Sequence, residues 1–242
     1  MNFNLEQRLD FIKQHVKNAG AAGVVVGISG GKDSAVTTAL CVKALGSENV
    51  LGISMPCSSN PKDEEHAKMV ADAFGVEFFV VDLKDSFEQA KKSITTQVNF
   101  NLSDLALANV KPRLRMITLY AIAQSKNYLV VGTDNLSEMV MGYFTKWGDG
   151  AYDINPLSDL TVSEVLAFGA ELGVPEPILI KAPSAGLWEG QTDEIEMGVT
   201  YKEIDEFIKT GQTNIKAQNI IESANKKTQH KREMPYFFRA KK

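Results

Sequence analysis

Short apolar runs alternate with helical periodicities through the first half of the chain, and this alternation limits the folds open to it more than any other feature. Gly23–Ser29 (GVVVGIS), Val50–Met55, Glu77–Leu83 and Tyr128–Gly132 are each too short for a stable helix and carry apolar residues at consecutive positions. Runs of that kind suit strands covered on both faces, as in a parallel sheet. Between them lie helical patterns at Ser34–Leu45 closed by Gly46, Pro61–Phe74 closed by Gly75, Ser86–Gln97 and Pro112–Lys126. An opening helix carries Leu5, Leu9, Ile12 and Val16 on one face, with Asn4 and Gln7 as its expected capping pair. Strand and helix in alternation predict an α/β fold, a doubly wound parallel sheet with flanking helices and right-handed crossovers.

Beyond Thr133 the pattern weakens, with Gly142, Gly148, Gly150 and Pro156 marking irregular chain. A capping-box helix opens at Thr161, with Glu164 three residues on, and ends near Gly173. Ala182–Val199 holds Pro183, Gly186, Gly190 and Gly198 with little periodicity, and a loop of that length in a compact domain reads as a functional lid. Helical patterns resume over Tyr201–Lys209 and Asn214–Ala224. The 242 residues suit one domain, 1–242.

Charge and composition narrow the partners. Lys and Arg total 26 against 30 Asp and Glu, a net charge of -4, which argues against a nucleic-acid partner because a sequence-independent grip on nucleic acid needs a basic surface. The start, MNFNLEQRLDFIKQ, has no apolar core of signal-peptide length, and no run approaches the roughly 20 apolar residues of a membrane span. A cytoplasmic protein with no membrane contact is expected. Cys41 and Cys57 lack CxxC or Cys/His clustering, so both read as free thiols.

The strongest local signal is the octet Gly27, Ile28, Ser29, Gly30, Gly31, Lys32, Asp33, Ser34, where the first apolar run meets the first helical pattern of the alternation. In an open α/β sheet ligands bind at that position. Paired glycines let backbone N–H groups converge on an anion, the helix start adds its positive end, and the Ser29 and Ser34 hydroxyls can donate to phosphate oxygens. The Walker spacing GxxxxGK[ST] is absent, since Lys32 follows the glycine pair directly and Asp33 follows it. A plain strand-to-helix turn would need the same glycines and a capping Ser or Asp, so the turn alone does not prove a nucleotide site. The octet also resembles the SGGxDS loop of the ATP pyrophosphatase (PP-loop) group, whose adenine nucleotide alpha hydrolase-like members cleave ATP between its α and β phosphates and hold the pyrophosphate there. That resemblance implies adenylation and leaves the acceptor open.

Further motifs follow in order: Asn109-Val-Lys-Pro-Arg-Leu-Arg-Met116, Gly132-Thr-Asp-Asn-Leu-Ser-Glu138, Gly142-Tyr-Phe-Thr-Lys-Trp-Gly-Asp-Gly150 through Asp153-Ile-Asn-Pro156, Pro183-Ser-Ala-Gly-Leu-Trp188 with Gln191-Thr-Asp193, and His230-Lys-Arg232. Together they resemble the ammonia-dependent NAD synthetase family over nearly the whole chain. The resemblance implies a ligase that joins the carboxylate of deamido-NAD to ammonia, with ATP as co-substrate, Mg²⁺ as cofactor and a homodimer as the working form. The family's glutamine-using versions carry a glutaminase domain of about 250 residues, for which this chain has no room, so free ammonia is the implied nitrogen source.

By position, the resemblance places Mg²⁺ on Asp33 and Glu138, and ATP on the octet, Thr133 and Ser184. It places the dinucleotide on Arg113, Arg115, Lys146, Asp153, His230 and Lys231, with Arg113 preferred over Arg115, which would then make a structural ion pair. Lys146 and Asp149 are the expected catalytic groups, Asp149 standing near ammonium. The residue types leave plainer roles open: a helix-dipole partner at Asp33, a turn at Gly148-Asp149-Gly150, a solvated basic terminus at His230-Lys231-Arg232. Two positions depart from the family. Val162 stands where a lysine contacts ATP, and Pro112 replaces an alanine. Losing a phosphate-stabilising lysine would cost about 10²-fold or more in rate, and Lys32 is the expected compensation. A sulfur-transferring or tRNA-modifying member of the loop group would need a cysteine pair or a basic surface. A nucleotide-binding regulator without turnover would be favoured by Val162 alone.

Overall fold

The computed structural model describes residues 3–181 and 192–238. Four strands, β1 (Gly23–Gly27), β2 (Val50–Ser54), β3 (Glu77–Val80) and β4 (Tyr128–Val131), form one parallel sheet in the order β3-β2-β1-β4. In register, Val24 of β1 lies opposite Val50 of β2 and Leu129 of β4. Side chains alternate across the sheet. Val24 and Val26 enter one apolar layer with Ile12 and Val16 of α1 (Leu5–Asn18), Ala39 and Leu40 of α2 (Lys32–Leu45), Val70 of α3 (Pro61–Phe74) and Phe168 of α8 (Val162–Leu172). Val25, Leu51 and Ile53 enter the opposite layer with Phe87 of α4 (Lys84–Gln97) and Ala123 of α6 (Val110–Lys126). Both faces are covered, so the doubly wound expectation holds. It fails locally at β3, where Phe79 is 51% and Val80 45% exposed: this strand is the sheet edge, with a neighbour on one side only.

A third apolar cluster joins α7 (Leu136–Met141) and α8 to α11 (Tyr201–Thr210) and α12 (Ile215–Lys227), around Met141, Val162, Tyr201, Ile204 and Ile221. Short helices complete the chain: α5 (Asp104–Ala108), α9 (Glu176–Leu179), α10 (Asp193–Met197) and α13 (Gln229–Arg232). These and α7 went unread in the sequence because elements of four to six residues show little periodicity. Ala182–Gln191 lies outside the described residues, but Asp193–Met197 within the expected loop is helical and Asp193 is buried. The α1 cap also differs: Asn4 adopts a left-handed conformation at φ 52 and makes no side-chain capping bond. Cys41 and Cys57 are buried free thiols, as expected.

Asp205 ties three of the helices together. Its Oδ1 accepts from Ser137 Oγ at 2.6 Å, and its Oδ2 accepts from Ser163 N at 3.0 Å and Ser163 Oγ at 2.5 Å. Ser137 Oγ also accepts from Val162 N. Removing the carboxylate orphans the buried Ser137 hydroxyl at the start of α7 and leaves the Ser163 donors at the start of α8 to solvent. Asp205→Ala is therefore expected to lower stability by roughly 2 to 4 kcal/mol, read as a shift of the urea midpoint at unchanged slope; a midpoint within error of the parent would show that the clamp carries no load.

Candidate active site

Because β1 has β2 on one side and β4 on the other, the chains leaving β1 and β4 diverge from the sheet's carboxyl edge and leave a crevice between them. A cavity of about 630 Å³ opens there, lined by residues from the loop after β1, the segment after β4 and the Gly142–Ala151 stretch.

The loop after β1 is held by its own serines. Ser34 Oγ donates to Gly31 O at 3.0 Å and accepts from Ser29 N at 3.2 Å, while Gly31 N donates to Ser29 Oγ at 3.3 Å. Gly30, at φ 75, leaves no room for a side chain, since a Cβ there would lie 2.3 Å from the Asp63 carbonyl oxygen at the start of α3. The loop thus lies against the first turn of α3. Lys181 reinforces the contact, donating to Asp63 Oδ1 at 2.7 Å and to Gly30 O at 3.3 Å.

The segment after β4 turns into α7 through a capping box. Asn135 Oδ1 accepts from Glu138 N and Glu138 Oε2 accepts from Asn135 N, both at 3.0 Å. The same Asn135 side chain donates through Nδ2 to Asp33 Oδ1 at 3.0 Å, so one buried amide joins the two sides of the crevice. Asp33 Oδ2 accepts from Lys32 Nζ at 2.8 Å. Burial, and then the charge of Asp33, push the Glu138 carboxyl up to about 8. Burial works to lower the Lys32 ammonium, but Asp33, Glu138 and Asp193 outweigh it and raise the group, keeping it charged. Lys32 Nζ also lies 5.8 Å from the centroid of the Tyr201 ring, whose hydroxyl donates to Asp193 Oδ2 at 2.9 Å. Val162 packs in the same cluster as Tyr201.

Asp33 and Glu138 form a carboxylate pair beside the phosphate-loop serines. Among the described residues no group of three or more His, Cys, Asp or Glu is placed to hold a metal. The pair nonetheless fits Mg²⁺, which keeps several waters and commonly takes one or two protein carboxylates together with substrate phosphates.

Gly27, Ile28, Ser29, Gly31, Lys32, Asp33, Ser34, Thr133, Glu138, Asp149, Arg115 and Lys231 line the cavity. Of the two arginines, Arg115 lines the cavity wall. Arg115 Nε donates to Met55 O at 3.1 Å, and in place of an ion pair it braces the end of β2. Arg113 is exposed and donates to Asn109 O and Lys146 O. Lys146 Nζ donates to His230 O and lies over the Trp147 ring. Asp153 Oδ2 accepts from Val130 N at 2.7 Å and its Oδ1 from Tyr120 Oη at 3.2 Å, which fixes it to β4. Ser184 lies outside the described residues. The basic terminus is docked rather than solvated. Lys231 Nζ donates to Gly142 O at 2.8 Å and Phe144 O at 2.7 Å, and Arg232 donates to Met139 O. Asp149 Oδ1 accepts from Thr145 N at 2.9 Å, so it does shape the turn, yet it stays open to the cavity, and desolvation by the surrounding wall raises its pKa.

Asn135 and Lys181 escaped the sequence reading. The Asn-x-x-Glu spacing of 135–138 is a legible capping signal, whereas nothing local marks Lys181, which meets the loop only through tertiary packing.

Comparison with known proteins agrees with this geometry. A family model described as NAD synthase matches residues 4–235. The NH(3)-dependent NAD(+) synthetase of Carboxydothermus hydrogenoformans is 47% identical, covering 95% of this chain and 94% of its own. Among solved structures, the NMN synthetase of Francisella tularensis superposes with TM-score 0.91 at 39% identity, covering 96% of each chain. The NH3-dependent NAD synthetase of Campylobacter jejuni does so with TM-score 0.82 at 29% identity, covering 99% of this chain and 100% of its own. With the phosphate loop, the carboxylate pair and the switch-point crevice in one continuous match, the chain belongs to the NAD synthase family.

Proposed function

We propose that this chain is an ammonia-dependent NAD synthetase, a ligase that converts deamido-NAD, ATP and ammonia into NAD, AMP and pyrophosphate. The observation that carries the reading is the Asn135 bridge, which joins the phosphate loop after β1 to the Glu138 segment after β4 across a cavity large enough for a nucleotide. In the first step the substrate's pyridine carboxylate attacks the α-phosphorus of ATP. The bond from α-phosphorus to the bridging oxygen breaks, and pyrophosphate leaves towards the Ser29–Ser34 loop. Asp33 and Glu138 would hold Mg²⁺, which when bound neutralises charge on the phosphate oxygens. Lys32, kept charged by its carboxylate neighbours, and Lys181, held against the Gly30 carbonyl, bring two further cations to the loop. They offset the missing cation at 162. In the second step ammonia adds to the acyl carbon and AMP leaves.

Thr133 and Ser184 are assigned to ATP. Arg115 and Lys231 are assigned to the dinucleotide before Arg113, Lys146, Asp153 and His230, because they line the cavity. We further assign one domain over residues 1–242, free ammonia as nitrogen source, a cytoplasmic setting and a homodimer. Exposed Ile94, Phe100, Leu105 and Ile117 on and beside α4 to α6 support the dimer. No described helix is long and apolar enough to cross a membrane. The likeness to the Francisella tularensis enzyme, named for NMN, favours one alternative acceptor, the mononucleotide acid in place of the dinucleotide.

Purified protein with ATP, Mg²⁺ and ammonium chloride is expected to yield NAD and AMP from deamido-NAD. Faster turnover of the mononucleotide acid would assign the alternative acceptor, and ATP left intact with both would refute the ligase reading. Asp33→Asn and Glu138→Gln are each expected to lower kcat about 10²-fold and to raise the Mg²⁺ concentration for half-maximal rate. Unchanged Mg²⁺ dependence would place the cation elsewhere. Since Glu138 holds its proton up to about 8 and a cation must displace that proton, Mg²⁺ affinity should strengthen as pH rises towards and past that value. Titration of Mg²⁺ at several pH values checks the direction.

A further inference from the structure

Asp63 is out of place by its charge. It lines the same cavity as the phosphate loop, on the first turn of α3, and a carboxylate beside an anion cradle repels what the cradle is suited to hold. It does not extend the Asp33–Glu138 pair, since no three acids, histidines or cysteines among the described residues are placed around one cation. Its position is nevertheless fixed. The Asn60 side chain caps α3 by accepting from Lys62 N, Asp63 N donates to Asn60 O at 2.9 Å, and Gly30 of the loop packs so closely on the Asp63 carbonyl that no Cβ would fit between them. The carboxylate is therefore carried on the turn of helix against which the loop rests.

That carboxylate holds Lys181. Lys181 Nζ donates to Asp63 Oδ1 at 2.7 Å and to Gly30 O at 3.3 Å, and Lys181 also lines the cavity. The pair is partly open to solvent, with side chains 30% exposed at Lys181 and 26% at Asp63. Lys32 differs, being buried and drawn by three carboxylates at once. An ion pair as open as that of Lys181 shifts an equilibrium by no more than about fivefold. Pyrophosphate in the adjoining loop carries several negative charges against the single one of Asp63, so it competes successfully for the same ammonium.

We propose that Lys181 alternates between two anions, Asp63 when no pyrophosphate is bound and the pyrophosphate once the bond from α-phosphorus to the bridging oxygen has broken. Lys181 touches the leaving group and is a catalytic residue for adenylation. Asp63 is a positioning residue: by reclaiming the ammonium it sets how readily pyrophosphate departs. No proton moves in the exchange, since the ammonium keeps its charge and changes only its partner. The loop thus holds pyrophosphate firmly enough to form it and loosely enough to release it, and adenylation becomes harder to reverse.

This inference rests on the ligase reading, so binding of pyrophosphate is measured apart from turnover. Calorimetric titration of the purified chain with pyrophosphate in the presence of Mg²⁺ gives its Kd, and inhibition of NAD formation by pyrophosphate gives a matching constant. Lys181→Met and Lys181→Gln are each expected to raise the Kd about tenfold, as loss of a charge-assisted hydrogen bond does. Asp63→Asn and Asp63→Ser are expected to lower it about threefold, because the ammonium is freed from its competitor. Asp63→Asn combined with Lys181→Met should bind as weakly as Lys181→Met alone. A strap that only tied the end of α9 to α3 would weaken binding in the variants of both residues. Opposite shifts, in at least one variant at each position, would support the alternation; a Kd raised at both positions, an unchanged Kd in the Asp63 variants, or a double variant as tight as Asp63→Asn would overturn it. Opposite shifts in a parent protein that forms neither NAD nor AMP would sink the ligase reading and leave the alternation standing.

Discussion

One side chain joins the two halves of the site. Asn135 caps α7 with its amide oxygen and holds Asp33 with its amide nitrogen, so α7 and the head of α2 share a single donor–acceptor unit. A parallel sheet leaves its ligand crevice between two diverging chains, and packing alone does not fix the spacing across it. A buried amide bonded through both its oxygen and its nitrogen does, because any widening strands a donor and an acceptor away from water. The carboxylate pair, the charged Lys32 and the direction of the phosphate loop all refer back to that spacing.

Around the bridge the electrostatics are arranged in opposition. Lys32 enters the site among Asp33, Glu138 and Asp193, and their pull outweighs the cost of burying its charge. The apolar residue at 162 belongs to the same arrangement. Val162 and Tyr201 belong to the third apolar cluster, and the Tyr201 ring also faces the Lys32 ammonium.

Much of this was legible in the sequence, for reasons that differ from one residue to the next. The strands β1 and β2 are read easily because burial on both faces leaves continuous apolar runs. The edge strand β3 has a similar composition, and only its neighbours reveal that Phe79 and Val80 face outward. Glycine spacing fixes the phosphate loop locally, so Ser29 and Ser34 fall where expected. Arg113 and Arg115 could not be ranked by spacing, since which one meets the cavity depends on how α6 packs under β2.

The docking of α13 adds a temporal constraint. Lys231 holds the carbonyls of Gly142 and Phe144, and Arg232 holds that of Met139, so the wall of the crevice opposite the phosphate loop is pinned by a helix near the carboxyl terminus. A chain emerging from the ribosome can close its sheet once Val131 is out, yet the 142–144 wall waits for about a hundred further residues, about 5 to 20 seconds at ordinary synthesis rates. During that interval the nascent protein owns a phosphate loop without the opposite wall, and nucleotide bound then would meet an open groove rather than a chamber. Placing the fasteners of the 142–144 wall last keeps activation of a carboxylate, a reaction wasted in water, from running ahead of the enclosure that protects it.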